Sequence, residues 1–334
     1  MKIKNNTQFN VIAVPLIGPE NANILTIIVK GTFNIISEKK ATIFKNQIPI
    51  FFSDELNESG KGLKFESDLA PYKPRADIVL VGSTYSKKPV LSIDASLRVN
   101  DLVKTIRVFG DRKWNALTGS PTKPESFTKM NIVYERAYGG IDEGEVFLEN
   151  LSGMGFTSHK SKKDKDLIDL PNIENPQNLI NSLSDRPSPV GFGFIEKSWN
   201  YRREYIGTYD EKWQKEKSPD FPDDFKFDFY NAAHPDLQMK TYLNGDEEIT
   251  LTNLTKSGFI HFYLSGVKLD CIVEKNFDSI DSKENLQKIG VQLNLDTLCF
   301  IPDEEKLYTV WRGFCEIKDL TVNEIKTVQI NLDK

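Results

Sequence analysis

Short runs of β-branched and apolar residues, divided by turn-forming residues, recur along most of the chain and set the strongest limit on its fold. Residues 24–36 form one such run, interrupted only by Lys30 and Gly31. From Leu91 to Val99 apolar residues occupy every second position, which is the period of a strand with one buried and one solvated face. Helical periodicity is nearly absent. The pattern predicts a mainly β protein built from antiparallel sheets.

Turn signals divide these runs into many short strands. Asn100-Asp101 lies between apolar runs at 90–99 and 102–109 and predicts a tight hairpin, because Asn and Asp tolerate a left-handed backbone. Strand patterns resume after Glu247. The six strands predicted there are 249–254, 258–264, 269–273, 291–300, 307–317 and 320–332. We expect antiparallel β-sandwich or partly closed barrel lobes with few short helices.

Three parts of the chain differ in texture. Residues 1–115 predict an N-terminal β lobe, and residues 246–334 predict a C-terminal β lobe. Residues 116–245 are dense in Gly, Pro, Asp, Asn and aromatic residues, which predicts a loop-rich region packed between the lobes. Within this region the charged tract 159–166 and the prolines that follow it predict a mobile excursion over 157–188.

Two short helices are predicted from capping-box patterns, in which a Glu follows a capping side chain by three residues. Thr208 and Glu211 have this spacing and predict a helix that begins at Thr208 and ends before Pro219. Asp281 and Glu284 have the same spacing and predict the second helix, over 281–289.

Composition limits the classes of partner. The chain of 334 residues is 39% hydrophobic and 27% charged, as in folded globular proteins. Its formal charge of −5 provides no global attraction to nucleic acid or anionic lipid. No apolar run approaches the roughly 20 residues that cross a bilayer, and Pro15 and Gly18 interrupt the N-terminal apolar run before it reaches signal-peptide length. We expect a soluble, cytoplasmic protein without nucleic-acid or membrane partners.

Cysteine usage agrees with a reducing compartment. Cys271, Cys299 and Cys315 are odd in number, lack CxxC spacing and lie in predicted strands. We expect buried free thiols rather than disulfides or a reactive nucleophile.

Residues suited to catalysis or metal binding are few. Only three histidines occur: His159 lies in the charged tract, His261 is expected to be a hydrogen-bonded sheet residue, and His234 in an irregular loop is the best candidate for a special role. Glycines such as Gly139-Gly140 lack the strand and helix context of a phosphate-binding loop and are expected to serve turns. An acidic group could hold a hard cation, although its spacing fits no calcium loop; it consists of Asp220, Asp223, Asp224 and Asp228. We predict no catalytic residue, no cofactor and no metal.

The segment 191–213 has the composition of a binding surface. Trp, Tyr and Arg dominate the energetics of protein interfaces, and this segment concentrates them. The candidate residues are Trp199, Arg202, Arg203, Thr208, Tyr209, Asp210 and Trp213. An alternative is an internal clamp, in which Arg202 or Arg203 pairs with Asp210 and stacks on a Trp to make a long loop rigid. One arrangement can serve both purposes.

Ten short motifs in a fixed order resemble a bacterial family first catalogued as domain of unknown function 2169 (DUF2169). The motifs are Lys30–Phe33, Val108–Trp114, Tyr134–Gly140, Leu170–Glu174, Ser198–Arg202, Gly207–Trp213, Phe221–Phe225, Asn231–Ala233, Gly245–Glu247 and Val310–Gly313. Each is weak alone, but together they cover about 300 residues. One element departs from the family pattern, since Asn150–Gly153 lacks the proline that members often carry there.

The resemblance implies a role in type VI secretion. Members of the family are found beside type VI secretion genes, which implies an adaptor or chaperone that holds a toxic effector and helps to load it onto the spike formed by VgrG and its PAAR-type tip. The expected partners are therefore an effector protein, the VgrG/PAAR spike, or both.

Two other classes of function stay open. One is a hydrolase that uses His234 with Asp236 or the nearby acidic group, which requires those residues to converge in a cleft with perturbed pKa values. The other is a structural component that remains in the assembled secretion particle.

Overall fold

The computed structural model describes residues 1–115, 118–158, 167–277 and 285–333. Strands make up 44% and helices 8%, so the predicted mainly β class with few short helices is confirmed. The sheets in the described ranges are open, and none of them closes into a barrel.

Strands occur in every part of the chain. The first eleven are β1 (Lys2–Asn5), β2 (Asn10–Ile17), β3 (Asn23–Asn34), β4 (Thr42–Ile43), β5 (Glu55–Leu56), β6 (Leu63–Phe65), β7 (Ala76–Leu80), β8 (Ser83–Val90), β9 (Ser92–Val99), β10 (Leu102–Phe109) and β11 (Lys113–Asn115). The next nine are β12 (Ser120–Pro121), β13 (Phe127–Asn131), β14 (Tyr138–Gly139), β15 (Ile141–Asp142), β16 (Glu145–Val146), β17 (Met154–Gly155), β18 (Leu167–Asp169), β19 (Ile173–Glu174) and β20 (Gln238–Met239). The last seven are β21 (Glu248–Thr252), β22 (Phe259–Tyr263), β23 (Leu269–Phe277), β24 (Asn285–Gly290), β25 (Asn294–Ile301), β26 (Lys306–Glu316) and β27 (Ile325–Leu332).

Helices are short. The α-helices of the described ranges are α1 (Asn200–Arg203) and α2 (Glu211–Glu216). Single 3-10 turns occupy Pro19–Asn21, Tyr134–Arg136, Phe227–Tyr230, Pro235–Leu237 and Pro302–Glu304. Within the described ranges, no helix has the length and apolarity needed to cross a bilayer.

The largest sheet has seven strands. Its path is β2-β3-β26-β25-β7-β20, and β4 pairs with β3. The β-branched run predicted as a strand over 24–36 is β3, whose residues 24–33 are all buried because β3 is central in the sheet and covered on both faces. Its antiparallel partner β26 supplies the long apolar strand of the C-terminal part.

Two further sheets join distant parts of the chain. One has the order β19-β10-β9-β21-β22, and the other has the order β1-β27-β23-β24. In all three large sheets, strands from residues 1–115 lie beside strands from residues 246–334. The predicted division into an N-terminal lobe, a middle region and a C-terminal lobe, with bounds at residues 115 and 245, is a statement about separate folding units. It stays a prediction.

The predicted hairpin at Asn100-Asp101 is confirmed. Strands β9 and β10 pair across it, and Asn100 adopts a left-handed backbone with φ of 50°. Ala95, Leu97 and Val99 are fully buried, as the alternating pattern predicts. The hairpin positions the segment 110–113, because that segment follows directly after β10.

The structure corrects the predicted helix over 281–289. Residues 285–290 form β24, an edge strand that pairs with β23, while residues 278–284 lie outside the described ranges. The capping spacing is a local signal, and pairing with a neighbouring strand overrides it.

The three cysteines are buried and free, as predicted. Burial raises the pKa of the Cys271 thiol to about 12 and that of the Cys315 thiol to about 11. Both thiols therefore stay protonated and unreactive at neutral pH.

Candidate functional site

Arg202, on α1, is buried in the core, with 1% of its surface exposed. Its guanidinium donates to Glu66 at 2.6 Å, to the carbonyl of Ile195 at 2.8 Å and to the carbonyl of Phe229 at 2.9 Å. The arrangement is an internal clamp, but its acidic partner is Glu66 and not the predicted Asp210. Glu66 is 136 residues away in the sequence, so no local spacing could indicate it.

Trp199 is also part of the core. It is 1% exposed, and its ring packs edge-on against Tyr134, with 4.9 Å between ring centroids. In this fold neither Trp199 nor Arg202 presents its side chain to a partner.

The other five candidate residues lie at or near the surface. Tyr209 is 46% exposed and packs edge-on against Trp213 at 4.5 Å. The Asp210 carboxylate caps α2 by accepting the Trp213 amide at 2.8 Å, which corrects the prediction that Thr208 begins this helix. Thr208 instead donates its hydroxyl to Asp224 at 2.7 Å. Arg203 is exposed.

The carboxylates of the acidic group point to separate partners. Asp223 pairs with Lys217 at 2.9 Å, and Asp228 pairs with Arg75 at 3.4 Å. No group of three or more potential metal ligands occurs within the described ranges.

His234 is buried beside Lys104 and Asp236. Its Nδ1 accepts the Asp236 amide at 3.2 Å, and its ring lies 5.5 Å from that of Tyr201. Burial, together with the nearby Lys104, lowers the pKa of His234 to about 3, although Asp236 opposes the shift. His234 is therefore neutral at physiological pH. The hydrolase alternative stays a prediction.

Acid is expected to destabilise the fold through His234. The imidazole has a pKa of about 6.5 in the unfolded chain and a lower pKa in the folded protein, so its contribution is present above pH 6.5 and is lost as pH falls. Between pH 7.5 and pH 5, wild type should lose about 2 kcal/mol more of its free energy of unfolding than His234→Gln loses. Urea unfolding at both pH values measures the difference. An equal loss in both proteins would contradict this assignment.

His261 is a sheet residue, as predicted. Its Nε2 lies 2.9 Å from Glu248 and its Nδ1 lies 3.3 Å from Glu38. The hydrogen bond with Glu248 raises the pKa of His261 above its ordinary value. His159 and the tract 159–166 lie outside the described ranges.

An open cleft of about 890 Å³ lies on another part of the surface. Three motifs that carry the family resemblance contribute to its lining, although they are far apart in the sequence. The contributing motif residues are Asp111, Arg112, Lys113, Glu135, Arg136, Leu170 and Asn172. Its volume is near the upper end of ordinary ligand sites, which span about 300–1,000 Å³.

Backbone hydrogen bonds join the three motifs. The Asn172 amide donates to the Arg136 carbonyl at 2.8 Å, and the Asn172 carbonyl accepts the Phe109 amide at 2.7 Å. Leu170 donates its amide to the Arg112 carbonyl at 3.0 Å. The segment 170–172 therefore bridges the end of β10 and the 3-10 turn at residues 134–136.

Side chains fix the same junction. Arg136 donates to the Asn172 side chain at 2.8 Å, and Asn172 donates to Asp111 at 2.9 Å. Beneath them the buried pair Arg112 and Glu174 is hydrogen bonded. Burial raises the pKa of Glu174 above its ordinary value, and Arg112 opposes this shift.

Glu135 fixes a second part of the cleft lining by hydrogen bonds. Its carboxylate accepts hydrogen bonds from Asn57 at 3.1 Å, from the Ser59 hydroxyl at 2.8 Å and from the Gly62 amide at 3.1 Å. These donors lie in the turn between β5 and β6, so one carboxylate anchors that turn at the cleft.

Close backbone packing supports the motif Tyr134–Gly140. Gly139 has φ of 151°, and a Cβ atom there would lie 2.2 Å from the Asn150 carbonyl oxygen, so only glycine fits. The Asn150 side chain donates to the Tyr134 carbonyl at 2.8 Å. This asparagine begins the element Asn150–Gly153 that departs from the family pattern.

The sequence patterns predicted a candidate site at 199–213 and gave no indication of the cleft. The available signal was the charged residues that three of the motifs carry. Their meeting in space depends on the pairing of β10 with β19 and on a parallel bridge between Ala137 and Ile173, which no sequence period reveals.

The fold and the cleft define a mainly β protein with an open groove assembled from segments that are distant in the sequence. The chain belongs to the family described as "Uncharacterized protein conserved in bacteria (DUF2169)", whose model matches residues 20–312. No curated protein and no solved structure matches it.

Proposed function

We propose that the protein is a type VI secretion adaptor or chaperone. It binds an effector in the cytoplasm and helps to load it onto the spike formed by VgrG and its PAAR-type tip. The observation that carries the proposal is the convergence of three motifs of the family resemblance on one open cleft of about 890 Å³. The resemblance supplies the secretion context, and the cleft supplies a surface for binding.

The hydrogen bonds around the cleft favour its use as a binding surface. Arg136, Asn172 and Asp111 are hydrogen bonded to one another, so the wall is held in place before a partner arrives. Such preorganisation reduces the entropy lost on binding. Glu135 has three donors of its own, which occupy its carboxylate in a structural role.

Affinity purification from the native bacterium tests the proposal. The tagged protein is expected to retain a toxin-like effector or a VgrG/PAAR spike component in near-stoichiometric amount, identified by mass spectrometry. The purified pair should then form a complex of defined mass in light scattering. A Glu135→Ala variant, which releases the anchored turn, should retain less partner than a Glu211→Ala variant on the exposed helix α2. A protein that purifies alone would contradict the proposal.

A further inference from the structure

Strand β13 borders the cleft and has one free edge. It pairs with β8 on one side, with Met130 opposite Thr84 and Asn131 opposite Ser83. The Ile132 amide donates to the Gly82 carbonyl on that same side at 2.9 Å. Backbone groups alternate in direction along an antiparallel strand. The backbone amide and carbonyl of Met130 therefore point toward β8, and those of Lys129 and Asn131 point away from it.

These outward groups are open to a ligand. Lys129 and Asn131 are exposed, and both line the cleft. Their amides and carbonyls have no hydrogen-bond partner within the described ranges. Unpaired backbone groups on an exposed strand edge are a template for an added strand.

The segment 110–113 contributes Asp111, Arg112 and Lys113 to the lining of the cleft. The Glu125 amide donates to the Asp111 carbonyl at 2.9 Å, and both residues line the cleft. Residues of β13 and of the segment 110–113 therefore line the same open cleft.

Charge indicates the chemistry of that segment. The lining contains seven acidic and five basic side chains, and one of the basic residues, Arg112, is paired with Glu174 outside the lining. Glu58 and Glu125 have no cationic partner in the parts of the chain that are described. Basic side chains on a bound segment would complement this excess.

We propose that the cleft binds an extended segment of a partner protein, rich in Lys or Arg, as an additional strand on β13. The proposal deepens the proposed function and rests on it in assigning the segment to the effector or the spike protein. Lys129 and Asn131 supply up to four backbone hydrogen bonds, and alternate side chains of the segment point toward the acidic lining.

The test uses a fluorescent heptapeptide of alternating Lys and Val and measures its binding by fluorescence anisotropy at low salt. Lys129→Pro removes one outward amide that no described group uses, and proline is tolerated at such edge positions. Lys129→Thr removes the same charge but keeps the amide. We expect the Pro variant to bind the peptide roughly tenfold more weakly than the Thr variant, which corresponds to about 1.4 kcal/mol.

A peptide methylated on its backbone nitrogens supplies a test that needs no variant. It should bind wild type at least about tenfold more weakly than the unmethylated peptide. Equal binding of the two peptides, equal binding by the Pro and Thr variants, or no binding by wild type would overturn the strand-addition site.

Retention of the natural partner separates the two proposals. If wild type retains an effector or spike protein and Lys129→Pro retains as much as Lys129→Thr, the adaptor role stands and the β13 site is overturned. If the peptide results hold but wild type retains no such protein, the β13 site stands and the adaptor role fails.

Discussion

Arg202→Met is expected to lower the free energy of unfolding by about 3 kcal/mol, because it removes the cation that is hydrogen bonded to the buried Glu66. The Lys197 amine, 3.7 Å from the same carboxylate, is the cation that remains. Glu66 is 7% exposed and Arg202 is 1% exposed, so water cannot replace the lost partner. The carbonyls of Ile195 and Phe229 also lose a donor. Urea unfolding followed by tryptophan fluorescence measures the change.

The adjacent arginine provides a matched control. Arg203 is exposed, so Arg203→Met should change stability by no more than about 0.5 kcal/mol. Comparable losses in the two variants would contradict the assignment of Arg202 as the buried clamp.

Trp199→Ala is the second substitution with a large expected effect. Removing this fully buried ring leaves a cavity beside Tyr134, and substitutions of this kind cost about 3–5 kcal/mol. The expected result is a large decrease in the urea midpoint with little change in the slope of the transition.

Trp213→Ala provides the comparison for this second substitution. It removes a partly exposed ring, its contact with Tyr209 and its hydrogen bond to the Asp220 carbonyl, at a cost of about 1–2 kcal/mol. If Trp213→Ala were the more damaging substitution, the division of the candidate residues into core and surface would be wrong.

The positions of strands and turns could be predicted where they depend on local pattern. The alternation along β9, the turn at Asn100 and the apolar run of β3 each depend on neighbouring residues, and the structure contains all three. Local patterns fail where a distant partner decides the conformation. Residues 285–290 are a strand because β23 lies beside them, despite the helix-capping spacing just before.

In the candidate site, too, local patterns predicted some features, and contacts with distant residues decided the others. The aromatic and Arg-rich composition of 199–213 indicated residues that stabilise the fold or bind a partner. It could not separate Arg202, which is buried and bound to Glu66, from the exposed Arg203. The cleft is built by contacts between Asn172, Arg136 and the end of β10. These contacts join segments that are 36 or more residues apart. Composition and hydrophobic periodicity therefore cannot predict them.

The position of the cleft also separates binding from stability in experiment. Lys129 and Asn131 lie on an exposed strand edge, so substitutions there can change partner binding without removing core contacts. Substitutions at Arg202 and Trp199 act on the core. Loss of partner binding in those two variants would therefore follow from loss of the fold.

Association between the effector and VgrG in the native bacterium, with and without this protein, tests the adaptor role. The gene is deleted, VgrG is precipitated with an antibody, and the bound effector is quantified at matched effector abundance. We expect the effector to be largely lost from VgrG in the deletion strain and its association to be restored by the wild-type gene. An unchanged amount of effector on VgrG in the deletion strain would contradict the adaptor role.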